Sequence, residues 1–126
     1  MMQLARALAD FWSQFGVPAY VDDLVPDNAT PPYITYDVSR DGFGGIVPLT
    51  AYNWHKDTLG GNLERTEMLE DIADALPVGG LLIGVDDGYI ILQRNDAGFQ
   101  QYWQDPNDAD VIGGRTAYTA QYYTTK

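Results

Sequence analysis

"FGVPAYVDDLVPDNATPPYITYD", residues 15–37, decides the fold class, because a helix stops inside it, an acidic loop with three prolines follows, and a strand begins. Upstream, Leu4, Leu8, Phe11, Trp12 and Phe15 recur at the spacing that lays a wide apolar stripe along one side of a helix. Gly16 ends that helix, since glycine tolerates the left-handed conformation just past a helix terminus, and Pro18 cannot continue the hydrogen-bond ladder. "VDDLVPDNATPP" has no apolar period to bury, whereas "PYITYDVS" is rich in the β-branched and aromatic residues that suit a pleated surface.

Working outward, "RDGFGG" reads as a glycine-rich turn and "IVPLTAYNWHK" as a second strand, with Pro48 pushing it toward a sheet edge or a bulge. In "NLERTEMLEDIADAL", Asn62 is the expected cap of a second helix over 62–76, and Leu69, Ile72, Ala73 and Leu76 share one face. Pro77 and Gly79-Gly80 stop that helix. "LLIGVD" and "YIILQRN" flank Asp87-Gly88, a dipeptide suited to the type I′ turn of a hairpin. "DAGFQQYWQDPNDADVIGG" reads as an irregular excursion, and "RTAYTAQYYTT" as a last strand with Tyr118, Ala120 and Tyr122 on one side. The predicted architecture is a single α+β domain over residues 1–126, mainly antiparallel, in the order α-β-β-α-β-β-β, with both helices on one face of the sheet.

Charge and composition exclude several function classes. Seven Lys and Arg stand against 18 Asp and Glu, a formal charge of -11, so too few cations exist to neutralise phosphates along a nucleic acid or to dock on an anionic membrane. Such acidity favours solubility or a basic partner. With no cysteine there are no disulfides, thiolate metal sites or cysteine nucleophiles, and a reducing cytoplasm is compatible. The N-terminus does not read as a secretory signal, and "LLIGVDDGYIILQ" is too short and too acidic to span a bilayer.

No motif reads as an active site. The only histidine, His55, is expected at the surface near a strand end, and neither Ser13 nor Ser39 sits in a nucleophile-elbow pattern. Asp105, Asn107, Asp108 and Asp110 carry oxygen ligands but lack the glycine and the later bidentate glutamate of a calcium loop, so a solvated turn is the plainer reading. "DGFGG" precedes a strand rather than the helix that phosphate binding requires. Asn28-Ala29-Thr30 is a chance glycosylation sequon. Glu64, Glu67, Glu70, Asp71 and Asp74 line one side of the second helix with only Arg65 to offset them, a wet surface or an acidic functional face. Phe99, Tyr102, Trp103, Tyr118, Tyr122 and Tyr123 are more rings than a two-layer core of this size hides, and surplus rings are what interfaces use as anchors. Phe43, Phe99, Tyr102, Trp103 and Tyr123 are the candidates for such an interface.

Gly16-Val17-Pro18-Ala19-Tyr20, Val25-Pro26 and Pro32-Tyr33-Ile34-Thr35-Tyr36 together resemble the start of tail terminator proteins of long-tailed bacteriophages, also called tail completion or minor capsid proteins, encoded by a phage or a prophage. The similarity continues through the Trp54 strand, the second helix, the Asp-Gly hairpin, the Phe-Gln segment at 99–101 and the last strand. Family members often carry basic residues just before the final strand, where this chain has only Arg115. The resemblance implies no enzyme and no cofactor. It implies a ring, commonly a hexamer, that seats on the last ring of tail-tube protein, stops polymerisation, and meets the head connector in the virion after assembly in the bacterial cytoplasm. The acidic helix would then face the lumen and repel passing DNA over a Debye length of ~8 Å. A head-side stopper or neck protein, and a monomeric acidic adaptor for a basic protein, are the competing expectations.

Overall fold

The structure, a computed structural model, describes residues 2–38, 45–96 and 98–124. Ser39, Phe43 and most of the "RDGFGG" turn lie outside them. Helix α1 (Met2–Trp12) runs into a single 3-10 turn, Ser13–Phe15, and stops at Gly16, whose φ of 81° is the left-handed conformation that the sequence demanded there. Strands β1 (Ala19–Val21), β2 (Tyr33–Tyr36) and β3 (Val47–Lys56) follow, then α2 (Leu59–Ala75), β4 (Leu81–Val85), β5 (Gly88–Arg94), β6 (Gln100–Gln104) and β7 (Val111–Thr124). The fold is mixed α+β with a seven-stranded, mostly antiparallel sheet ordered β1-β2-β3-β7-β5-β4. β1 and β2 are its parallel pair.

Two strands absent from the sequence expectation, β1 and β6, change the order to one helix, three strands, one helix, four strands. β7 is the spine. On one side it pairs with β3 along Val111 to Ala120; on the other it carries β5 opposite Tyr118–Thr124 and β6 opposite Ile112–Thr116. β5 and β6 therefore lie end to end along β7, meeting at Ala117, whose C=O accepts from the Asn95 N–H and whose N–H donates to the Phe99 C=O.

Strand alternation sorts β7 into two faces. On the inner face Ile112, Thr116, Tyr118 and Ala120 are buried, in register with Leu49, Ala51 and His55 of β3. Trp12 of α1 and Leu69 of α2 both meet this face: Trp12 packs edge-on against Tyr118, and Leu69 lies so close over Gly114 that a Cβ there would stand 2.7 Å from its Cδ2. Leu4, Leu8 and Phe11 complete the buried stripe of α1, and Met68, Ile72 and Leu76 that of α2. Each fully buried large apolar side chain contributes about 1.5–3 kcal/mol over leaving it in water, so the helix layer is held chiefly by these contacts.

Four local expectations need correction. Thr58, not Asn62, caps α2; its Oγ1 accepts from the Gly61 N–H at 2.9 Å, and the helix begins before the asparagine, which instead accepts from the Arg65 guanidinium. The hairpin turn is Asp86–Asp87, because Gly88 already pairs with Val85. None of these residues has positive φ, so the turn is not type I′; Gln3 holds it, accepting from the Asp86 N–H at 3.0 Å and donating to Asp87 Oδ1 at 2.8 Å. β3 pairs with both β2 and β7, yet Pro48 is tolerated because β2 ends opposite Ala51 and no strand among the described residues flanks Pro48 on that side. His55 is buried rather than superficial, because strand alternation puts it on the inner face, under the start of α2.

Candidate functional site

β2, β3, β6 and β7 present a second sheet face that no helix among the described residues covers. Tyr33 pairs with Trp54 and Thr35 with Tyr52, which places Tyr52, Trp54 and, by parallel register, Tyr20 on this outer side. Trp103 joins them from β6 opposite Gly113. Tyr52 stacks on Trp54 with ring centroids 5.5 Å apart and tilts against Trp103 at 5.6 Å, while Tyr20 meets Tyr33 at 5.8 Å. Gly113 is the floor that permits this; a Cβ there would lie 3.0 Å from the Trp54 ring. The Trp54 indole N–H donates to Thr35 Oγ1 at 3.0 Å, fixing the largest ring in place. Farther along the same face Tyr123 stacks on Tyr89 at 5.0 Å.

The nominated rings therefore separate. Trp103 and Tyr123 belong to the outer face, each about a third exposed. Tyr102 points to the helix side, 60 % exposed, with the Arg65 guanidinium 4.1 Å above its ring and its hydroxyl bonded to Thr66 at 3.1 Å. Phe99 is half-buried against the core under the Arg94 guanidinium, and Phe43 lies outside the described residues. Arg115 lies within β7, in register with Tyr52 on the outer face, because that strand begins earlier than the sequence suggested. Tyr20, Tyr33, Tyr52 and Trp54 were missed as a surface; the period-two alternation of Thr50, Tyr52 and Trp54 against Leu49, Ala51 and Asn53 was the available signal.

Glu64, Glu67, Glu70, Asp71 and Asp74 are all exposed along α2, with the Glu64 side chain 54 % exposed at the border of the helix's buried side. The molecule thus has an acidic helix layer and, across the sheet, an aromatic face. Glu64 also reaches inward: its Oε1 lies 3.2 Å from His55 Nδ1, while Asn53 Nδ2 donates to His55 Nε2 at 2.9 Å. That assigns the proton to Nδ1, which donates to the carboxylate. Desolvation holds the His55 pKa below its usual range, against the opposing pull of Glu64. None of the residues that line the shallow hollow beside His55 and Glu64 (Val17, Pro32, Glu67, Met68 and Asp71) is a serine or threonine nucleophile.

Asp105 and Asp108 each turn a side-chain oxygen onto the backbone N–H two residues on, at 2.8 and 2.9 Å, so the acidic segment is a pair of side-chain-stabilised turns between β6 and β7. Among the described residues no group of three or more His, Asp or Glu is arranged to hold a metal, and no helix is long and apolar enough to cross a membrane.

Neither a protein-family model, nor a curated protein, nor a solved structure matches this chain. Function therefore rests on the two faces and on the resemblance in the sequence.

Proposed function

We propose that this chain is a non-enzymatic structural protein of a phage virion, which closes into a ring at the head-proximal end of a tail, caps the last ring of tail-tube protein and forms part of the joint with the head. The observation that carries this reading is the opposition of an uncovered aromatic sheet face and an acidic helix layer. Clustered tyrosine and tryptophan rings with an arginine among them, here Arg115 beside Tyr52, are the composition of interface cores. They supply neutral contact area where subunits of charge -11 would otherwise repel. The carboxylates of α2 suit a conduit that DNA passes through without being held. A head-to-tail contact whose rotation closes gives the ring, six subunits being the number the resemblance implies.

Sedimentation across ionic strength, with and without tail-tube protein, tests assembly: rings favoured by salt and by tube protein are expected, and a monomer under every condition refutes self-assembly in favour of a monomeric adaptor. Electron microscopy of particles lacking the protein tests the role. Overlong or headless tails are the expected result, whereas DNA-leaking heads would assign it to a head-side stopper.

A further inference from the structure

Among the described residues β6 is an edge strand, paired with β7 alone. Because the Ala117 N–H donates to the Phe99 C=O at 2.7 Å, the pair 99–117 is of the hydrogen-bonded kind. Antiparallel alternation then points the main-chain N–H and C=O of Gln100, Tyr102 and Gln104 away from β7. Edges of this sort are ordinarily guarded by lysine, proline or an inward charge, and "QQYWQ" has none of them.

Alongside the edge runs a groove of about 420 Å³ between β6 and α2, floored by Leu69 and Ala73 and bounded by Thr66, Gln100 and Tyr102. Its rim carries Glu70, with Asp74 about a turn further along the same helix. Two cations stand at its margins, each already engaged: Arg65 lies over the Tyr102 ring, and Arg94 donates to the Ala73 and Leu76 carbonyls at 2.8 and 2.6 Å.

We propose that this edge and groove receive an extended segment of a partner protein as an added strand, with Lys or Arg at the alternate positions that face α2. The three outward backbone positions supply the ladder, Leu69 and Ala73 the apolar floor, and Glu70, with Asp74 a turn further on, the charge selection. A second copy of this chain is the wrong occupant, because its seven Lys and Arg are scattered singly along the sequence and no described strand carries two. The inference goes beyond ring assembly and applies equally to a single subunit.

The test titrates the full ¹⁵N-labelled chain with two peptides of equal length, one alternating Val and Lys, the other Val and Glu. The Val-Lys peptide is expected to shift the amide resonances of Gln100, Tyr102, Gln104 and the Glu70 turn, and to slow hydrogen exchange at those three β6 amides. Its affinity should fall about tenfold in Glu70→Lys, less in Glu70→Gln, and be lost in Gln104→Pro. Glu70 is exposed, so its two variants keep the fold and remain informative if the proline variant does not. Equal binding of both peptides, binding of neither, or shifts confined to another surface would each overturn the proposal. Sedimentation of the same samples reports ring assembly separately.

Discussion

The indole N–H of Trp12 donates to the hydroxyl of Tyr118 at 3.1 Å, joining α1 to the spine of the sheet across 106 residues of sequence. Both side chains are fully buried, so neither polar atom can exchange this partner for solvent. Replacing Tyr118 by Phe keeps the ring but orphans the donor, which costs about 1–3 kcal/mol. Denaturant unfolding of Tyr118→Phe should show that loss. The same change made in Trp12→Phe should cost less, because the donor is already gone; full additivity of the two would contradict the coupling.

Burial raises the pKa of Tyr118 far above the ordinary tyrosine value of 10.0, and also raises those of Tyr33 and Tyr36. The folded state thus keeps protons that the unfolded state releases, so stability is intact below pH 10 and declines as pH rises beyond it. Unfolding free energies measured from neutral to strongly alkaline pH check the sign. In Tyr118→Phe the alkaline decline should be shallower.

His55 gives the acid limb. Its pKa is lowered, first by desolvation, with Glu64 opposing and the Arg65 charge adding to the depression. The unfolded chain takes up a proton near the ordinary histidine value of 6.5 while the folded chain resists, so stability is full above that pH and falls progressively below it. Imidazole resonances followed by NMR should titrate below the free-histidine range, and lower still in Glu64→Gln. A titration at or above the ordinary value would mean that the buried ring is charged.

Gly60 and Gly61 are neighbours in the first turn of α2 with opposite expectations. A Cβ on Gly61 would stand 1.8 Å from the Lys56 carbonyl oxygen, so Gly61→Ala must displace the end of β3 or the helix start and costs about 1–3 kcal/mol or more. At Gly60 the nearest contact is an ordinary 3.9 Å to Thr58 Oγ1, and alanine there stabilises the helix by roughly 0.5–1 kcal/mol. Thermal melts of the two variants should move in opposite directions.

Trp103 separates stability from assembly. Its ring is partly exposed beside Tyr52, so Trp103→Ser should leave the melting temperature of the monomer within a few degrees. Ring formation at high salt should be lost if the outer face is the subunit contact. Unchanged sedimentation would move that contact elsewhere.

What could be read from the residues alone follows from the strength of each periodic signal. The stripe from Leu4 to Phe15, the stop at Gly16, and the buried side of β7 at Tyr118 and Ala120 were all legible, because apolar spacing matched the element's period. β1 and β6 were not: three residues give no period, and "QQYWQ" is held by backbone pairing to β7 rather than by apolar alternation. The start of α2 was obscured because Gly60 and Gly61 lie inside its first turn, where propensity argues against a helix and the Thr58 cap prevails. Of the candidate site, the five carboxylates of α2 could be seen in one segment of sequence. The aromatic face could not, since its rings come from several strands that only the sheet register brings side by side.

β7 follows in chain order every strand that it joins. A nascent chain that has not yet released Val111 from the ribosome holds β3, β5 and β6 without the ladder that unites them, so the sheet forms only once β7 has emerged. Premature termination upstream of that point leaves a polypeptide for proteolysis rather than a smaller folded unit.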